Sequence, residues 1–220
     1  MAQNLEELPL FPLDAVIFPY AALQLHIFEE RYREMVRKCL EFDLPFGIVL
    51  IRSSSEIGDE PYLVGTVVRI TEVKNYDDGR MDIHVLGERR FRIRELDDSH
   101  SYLVGRVEPV IEHEIPDTPQ ATELLSQARL EFENLMRRLF ERQDFNVQVV
   151  FPPDPVVLSF TMANFVSMNN LEKQRLLETT DTLERVSEII PILQMQNLES
   201  SPKSFFQISS ADLQEWITPN

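Results

Sequence analysis

Apolar residues follow two spacing rules along the chain, and the change comes near residue 115. Before it, short runs rich in β-branched and aromatic residues are cut by turn residues; after it, apolar residues recur every three or four positions. Leu8 to Phe18 contains Pro9 and Pro12 and is followed by Pro19. None of these has an amide proton for a ladder, so the run reads as one or two bent edge strands. Glu29 to Phe42 reads as a helix with Tyr32, Met35, Val36, Cys39 and Leu40 on one apolar stripe. Phe46 to Ile51 is a continuous apolar run, as in a strand buried on both faces, and the polar Ser53 to Pro61 reads as an exposed, mobile loop. Leu63 to Val73 is a strand that the Asp78-Gly79 turn sends back as Arg80 to Leu86. A further strand carries Arg89, Arg90, Arg92 and Arg94 around Phe91 and Ile93, and Tyr102 to Glu112 closes the series. About six short strands with proline-marked edges point to a small, twisted, partly closed barrel.

The second half is helical. Leu124, Ala128, Phe132, Leu135 and Leu139 define an amphipathic helix ending near Asp144. Phe151 to Pro155 is a stiff connection in which Asp154 can cap and Pro155 can take the first helical position. Val156 to Val166 is apolar on most of its circumference and reads as the buried centre of a bundle. Leu171 to Glu178 follows as a short helix, and Asp181 with Glu184 has the spacing of a capping box for a last helix containing Pro191. The organisation is therefore α+β: residues 1–115 β-rich, residues 116–198 a helical bundle, and residues 199–220 a polar tail holding Phe205, Phe206, Ile208 and Trp216.

Composition narrows the function. The 220 residues are 43% apolar, enough for a sizeable core. The 37 acidic and 21 basic residues leave a net charge of −16, which opposes nucleic acid and anionic membranes, since both are bound through excess Lys and Arg. A single cysteine, Cys39, excludes an internal disulfide, and its place on the helix stripe makes it a core residue rather than a nucleophile. With no basic, apolar leader at the N-terminus, the expectation is a soluble, cytoplasmic protein. Phosphate-cradling, dinucleotide and zinc-ligand spacings and the serine elbow are all missing, and His26 and Glu29 form only a lone H-x-x-E. No enzyme activity, cofactor or metal is expected. The arginines of residues 89–94 are the one concentrated basic feature, read chiefly as a strand face paired with nearby carboxylates such as Glu88, Glu95, Asp97 and Asp98.

Pro9, Leu10, Pro12 and Leu13, then Phe18-Pro19, then Phe28, Glu29, Arg31 and Tyr32 resemble, in order, the opening of the LON N-terminal domain, the substrate-recognition domain at the head of ATP-dependent Lon proteases. The likeness continues through Phe46-Gly-Ile, Val64-Gly-Thr, Gly87-Glu-Arg-Arg-Phe, Tyr102-Leu-Val-Gly and Lys173-Gln-Arg to Leu183-Glu-Arg, covering residues 5 to about 198. It implies a PUA-like pseudo-barrel followed by a helical bundle. It also implies a non-catalytic recognition or adaptor module for unfolded or apolar polypeptide segments, or for a partner protein, with a separate ATPase or protease as a further partner. Binding would lie beside the proline-rich strands, with Pro12, Phe18, Pro19, Phe28, Arg31, Arg90 and Arg92 as candidate contacts. The alternative is a PUA-like RNA-binding protein that uses the arginine stripe on phosphates.

Overall fold

The computed structural model describes residues 5–54, 58–141, 148–149, 151–198 and 217–218. They form two compact units, 1–111 with 170–178, and 112–169 with 179–220. The first helix after Asn169 thus groups with the β-rich unit, whereas the sequence reading placed it with the helices that flank it. The aromatics of the tail lie outside the described residues.

The first unit contains β1 (Glu6–Leu13), β2 (Ala22–Ile27), α1 (Glu30–Phe42), β3 (Phe46–Ser54), β4 (Gly58–Pro61), β5 (Val64–Asn75), β6 (Met81–Asp97), β7 (Val104–Pro109) and the helix Asn170–Glu178, called α4 below. The strands β1, β7, β6, β5 and β3 pair in that order, and a parallel β1–β3 ladder closes the ring. Inside it pack Leu8, Leu10, Val49, Val67, Phe91, Ile93 and Val107. Burying each large apolar side chain contributes about 1.5–3 kcal/mol at most.

The strands depart from the sequence pattern in three places. The proline-rich run is not an edge. Glu6–Pro9 pair with β7 and Leu10–Leu13 with β3, so β1 hands over from one neighbour to the other midway. Each half keeps an open side, on which a proline nitrogen costs no ladder bond. Ser53 to Pro61 is not a plain loop, because β3 extends to Ser54 and β4 returns against it. The strands expected at 80–86 and 89–94 are one, β6, interrupted by a bulge at Glu88: Arg89 sits opposite Val67 and Gly87 opposite Val68. With β2 and β4, which the sequence reading missed, the sheet has seven strands.

Three side chains pin α4 to the barrel. Arg90 donates to the Leu177 carbonyl at 2.6 Å, Gln174 to the Val64 carbonyl at 3.0 Å and Asn170 to the Asp14 carbonyl at 2.9 Å.

The second unit holds α2 (Pro119–Glu141), β8 (Gln148–Val149), α3 (Pro155–Phe165), α5 (Thr182–Leu198) and β9 (Ile217–Thr218). Ala128, Phe132 and Leu135 of the expected α2 stripe are buried. Asp154 caps α3 by accepting from the Val156 and Val157 amides, with Pro155 at the first helical position, as its spacing predicts. Asp181 does the same for Leu183 and Glu184. Leu158 to Ala163 are buried without a break. Arg185 is fully buried among them. It donates to Ser159 Oγ, the Thr179 carbonyl and Glu112 Oε2, and its guanidinium lies 4.0 Å from the Phe160 ring centroid. A buried guanidinium is tolerable only with such a complete set of acceptors.

Candidate functional site

The motif residues converge on the turn, strand and helix start that follow β1. Ala21 donates its amide to the Phe18 carbonyl at 3.2 Å, closing a four-residue turn with Pro19 in second place and Tyr20 in third. Proline pre-sets φ at the second position, and the third requires positive φ, here 66° on Tyr20. A tyrosine there is strained by roughly 1–2 kcal/mol. Tyr20 is 47% exposed. The Phe18 ring is instead wholly buried, so it supports the turn from within and offers no contact surface; Pro19 is buried as well. Gly87 makes this possible: Tyr20 donates to its carbonyl, its own amide donates to Ala21, and a Cβ at this position would run into the Phe18 carbonyl oxygen.

β2 leaves this turn and pairs antiparallel with β6, placing Ala22 opposite Leu86 and His26 opposite Asp82. Leu25 and Ile27 face the core, while Ala22, Gln24 and His26 are exposed, the period-two alternation of a half-buried strand. That alternation was available in the sequence but is short and lies between stronger signals. The register brings together a group that sequence spacing could not show. His26 Nδ1 lies 2.6 Å from Asp82 Oδ1, and the Tyr76 hydroxyl donates to the other carboxyl oxygen. Hydrogen bonding from Tyr76, then His26, holds the Asp82 carboxyl below its usual range. His26 therefore pairs with Asp82 and not with Glu29 of the H-x-x-E. Its ring stacks at 6.1 Å on Phe28, which is 61% exposed, so Asp82 and Tyr76 brace the base of an exposed aromatic.

At the start of α1, Glu29 makes no side-chain cap; its carboxylate takes both Nε and Nη2 of Arg31, at 3.0 and 2.8 Å. The Arg31 guanidinium also lies over the Tyr32 ring at 4.5 Å, and that ring packs on Phe11 of β1 at 4.4 Å. Burial first, with Glu29 adding, raises the Tyr32 hydroxyl pKa, against the opposing pull of Arg31. Phe11, Tyr32, Arg31 and Glu29 thus join barrel to helix, while Arg31 stays half exposed at its end. Pro12, opposite Val49 on β3, is half-buried. Cys39 is buried on the α1 stripe and burial pushes its thiol up to about 11, which suits a core residue. Leu40, expected on that stripe, is exposed.

The arginine stripe is divided. Arg90 is 3% exposed and spends its guanidinium on α4, a correction to its reading as part of a solvated face and to its candidacy as a contact. Arg89 pairs with Glu6 at 2.6 Å and Arg94 with Glu108, partners on β1 and β7 rather than the neighbours named from sequence. Arg92 is half-buried and adds to the field that lowers the Glu108 carboxyl, after the Arg94 hydrogen bond. Among the described residues no group of three or more His, Cys, Asp or Glu side chains could hold a metal ion, and no helix is long and apolar enough to cross a membrane.

A family model described as the ATP-dependent protease La (LON) substrate-binding domain matches residues 7–195. Among curated relatives, the Lon protease of Heliobacterium modesticaldum is 28% identical over 213 residues, which cover 91% of this chain and 26% of that protein. The Lon protease of Escherichia coli is 26% identical over 208 residues, 86% of this chain and 25% of that protein. The chain thus spans about a quarter of the length of these relatives. A solved Lon N-terminal domain protein from Xanthomonas campestris superimposes with a TM-score of 0.62 at 27% identity, over 84% of this chain and 98% of that one. The N-terminal domain of a Mycobacterium avium complex Lon protease gives 0.63 at 20% identity, over 86% and 98%, a likeness of fold.

Proposed function

Because the chain belongs to the LON substrate-binding domain family, we propose that it is a recognition module that binds exposed apolar segments of other polypeptides and performs no chemistry on them. The observation that carries this reading is the family match across residues 7–195. Three of the candidate contacts support it: Phe28 is exposed and braced from below, Arg31 is exposed at the start of α1, and Pro12 is half-buried on β1. Phe18 and Pro19 serve it indirectly, by fixing the turn that leads into β2, whereas Arg90 is spent on α4. A working partnership with a separate ATPase or protease, in a reducing, cytoplasmic setting, extends the same reading.

The pairing of Arg89 and Arg94 with carboxylates, together with the net charge of −16, favours polypeptide over RNA as the ligand. Flexible ligands lose entropy on ordering, so a Kd of about 1 mM to 1 μM is expected for a single segment. The test is fluorescence anisotropy with fluorescein-labelled reduced, carboxamidomethylated lysozyme, unfolded and basic, against the labelled folded, disulfide-intact lysozyme as a control of matching charge. Binding of the first and not the second is expected; no binding of the unfolded chain at about 1 mM protein sinks the proposal.

A further inference from the structure

Two strands of the first unit carry a ladder on one side only among the described residues, β2 on β6 and β4 on β3. An open strand edge is a template for another chain, and proteins blunt it with charge, proline, bulges or shortness. β4 is blunted in three ways within four residues, by its length, by the charge of Glu60 and by Pro61. β2 has none of these. Its sequence, Ala-Leu-Gln-Leu-His-Ile, contains no Asp, Glu, Lys, Arg or Pro, and its register with β6 runs without a shift. In a chain that is 26% charged, six such residues on an exposed edge leave unhindered pairing open.

The hydrogen-bond phase shows which residues face outward. Antiparallel ladders alternate between residues that exchange both main-chain bonds and residues that exchange none. The Gly87 amide donates to the Ala21 carbonyl, which sets the phase. Leu23, Leu25 and Ile27 therefore spend their main-chain groups on β6. Ala22, Gln24 and His26 direct theirs to the open side, and all three residues are exposed. Exposed aromatic rings stand at both ends of this row, Tyr20 at its entry and Phe28 at its exit.

We propose that β2 is the docking edge of the recognition module: an extended, uncharged or basic polypeptide segment adds there as a strand, bonding to the main chain of Ala22, Gln24 and His26 and resting side chains on Tyr20 and Phe28. This inference rests on the reading that the protein binds polypeptide. Main-chain pairing accepts many sequences, as a module for unfolded segments requires, and six residues of strand reach about 20 Å. The charge of −16 commits the occupant to a foreign neutral or basic segment. A second copy would bring the same charge to the interface, and an acidic segment would be repelled likewise.

The test uses a fluorescein-labelled decapeptide of alternating valine and threonine with a lysine at each end, the same peptide N-methylated at alternate amides, and fluorescein-labelled reduced, carboxamidomethylated lysozyme, an unfolded basic chain. Gln24→Pro removes one outward amide without breaking the β6 ladder, and Gln24→Lys places a blunting charge on the edge; circular dichroism establishes that each is folded. The wild type is expected to bind the plain peptide, with affinity lowered about tenfold or more by N-methylation or by either folded Gln24 variant, and a few-fold by Phe28→Ala. Wild type that binds the unfolded lysozyme while a folded Gln24 variant binds it equally well overturns the β2 assignment and leaves the broader reading standing. Wild type that binds neither probe removes the broader reading itself. A concentration-dependent dimer in sedimentation equilibrium, lost in Gln24→Pro, makes a second copy the occupant and also overturns the proposal.

Discussion

β1 and β2 lie on either side of one turn and differ in a way that reverses their chemistry. β1 carries Glu6, Glu7, Pro9 and Pro12, the residues that blunt an edge, yet it is bonded to β7 along one half and to β3 along the other, with Leu8 and Leu10 sealed in the core. β2 carries no blunting residue and, among the described residues, is bonded on one side only. In β1 the prolines mark the place where a strand changes neighbours to close a ring. In β2 the missing protection marks an edge whose main chain is left available.

Substitutions can sharpen this contrast or break it. Leu10→Ala on β1 empties part of a closed core and should cost about 2–5 kcal/mol in urea unfolding; a loss under 1 kcal/mol would mean that β1 is no closing strand. Arg90→Ala takes a donor from the Leu177 carbonyl and should cost about 1–3 kcal/mol. Arg89→Ala, one strand position away in a solvent-exposed pair with Glu6, should cost less than about 1 kcal/mol. Equal effects at the two positions would deny the covered and open faces assigned to β6. Tyr20→Gly relieves positive φ and should raise stability by about 1 kcal/mol or less while weakening polypeptide binding. Unchanged binding there would remove Tyr20 from the docking row. Gln24→Lys should change unfolding free energy by no more than about 0.5 kcal/mol, because the side chain and outward amide of Gln24 hold nothing among the described residues.

Several features are legible in the sequence itself. The α1 stripe, the α2 stripe, the Asp154-Pro155 helix start and the Asp78-Gly79 turn rest on interactions within a few residues, and a linear pattern records such interactions directly. Gly79 takes a φ of 82°, as that turn requires. The candidate site was legible only in part. Phe28 and Arg31 stand exposed at the start of α1, as a contact role needs, whereas Phe18 and Arg90 are buried by elements distant in sequence. Phe18 lies under a turn that Gly87 admits, and Arg90 lies under a helix that begins at Asn170. The meeting of His26, Tyr76 and Asp82 depends on how β2 aligns with β6, and register is set by long-range packing.

The amino-acid order alone determined the chemistry of each segment: its period, its caps, its charge and its likeness to the LON substrate-binding domains. Tertiary structure alone decided which strand closes the barrel and which stays open, because a proline, an arginine or an uncharged run acquires its role from the neighbour that does or does not cover it. A backbone amide is spent or available according to its partner in space, and no local pattern encodes that partner.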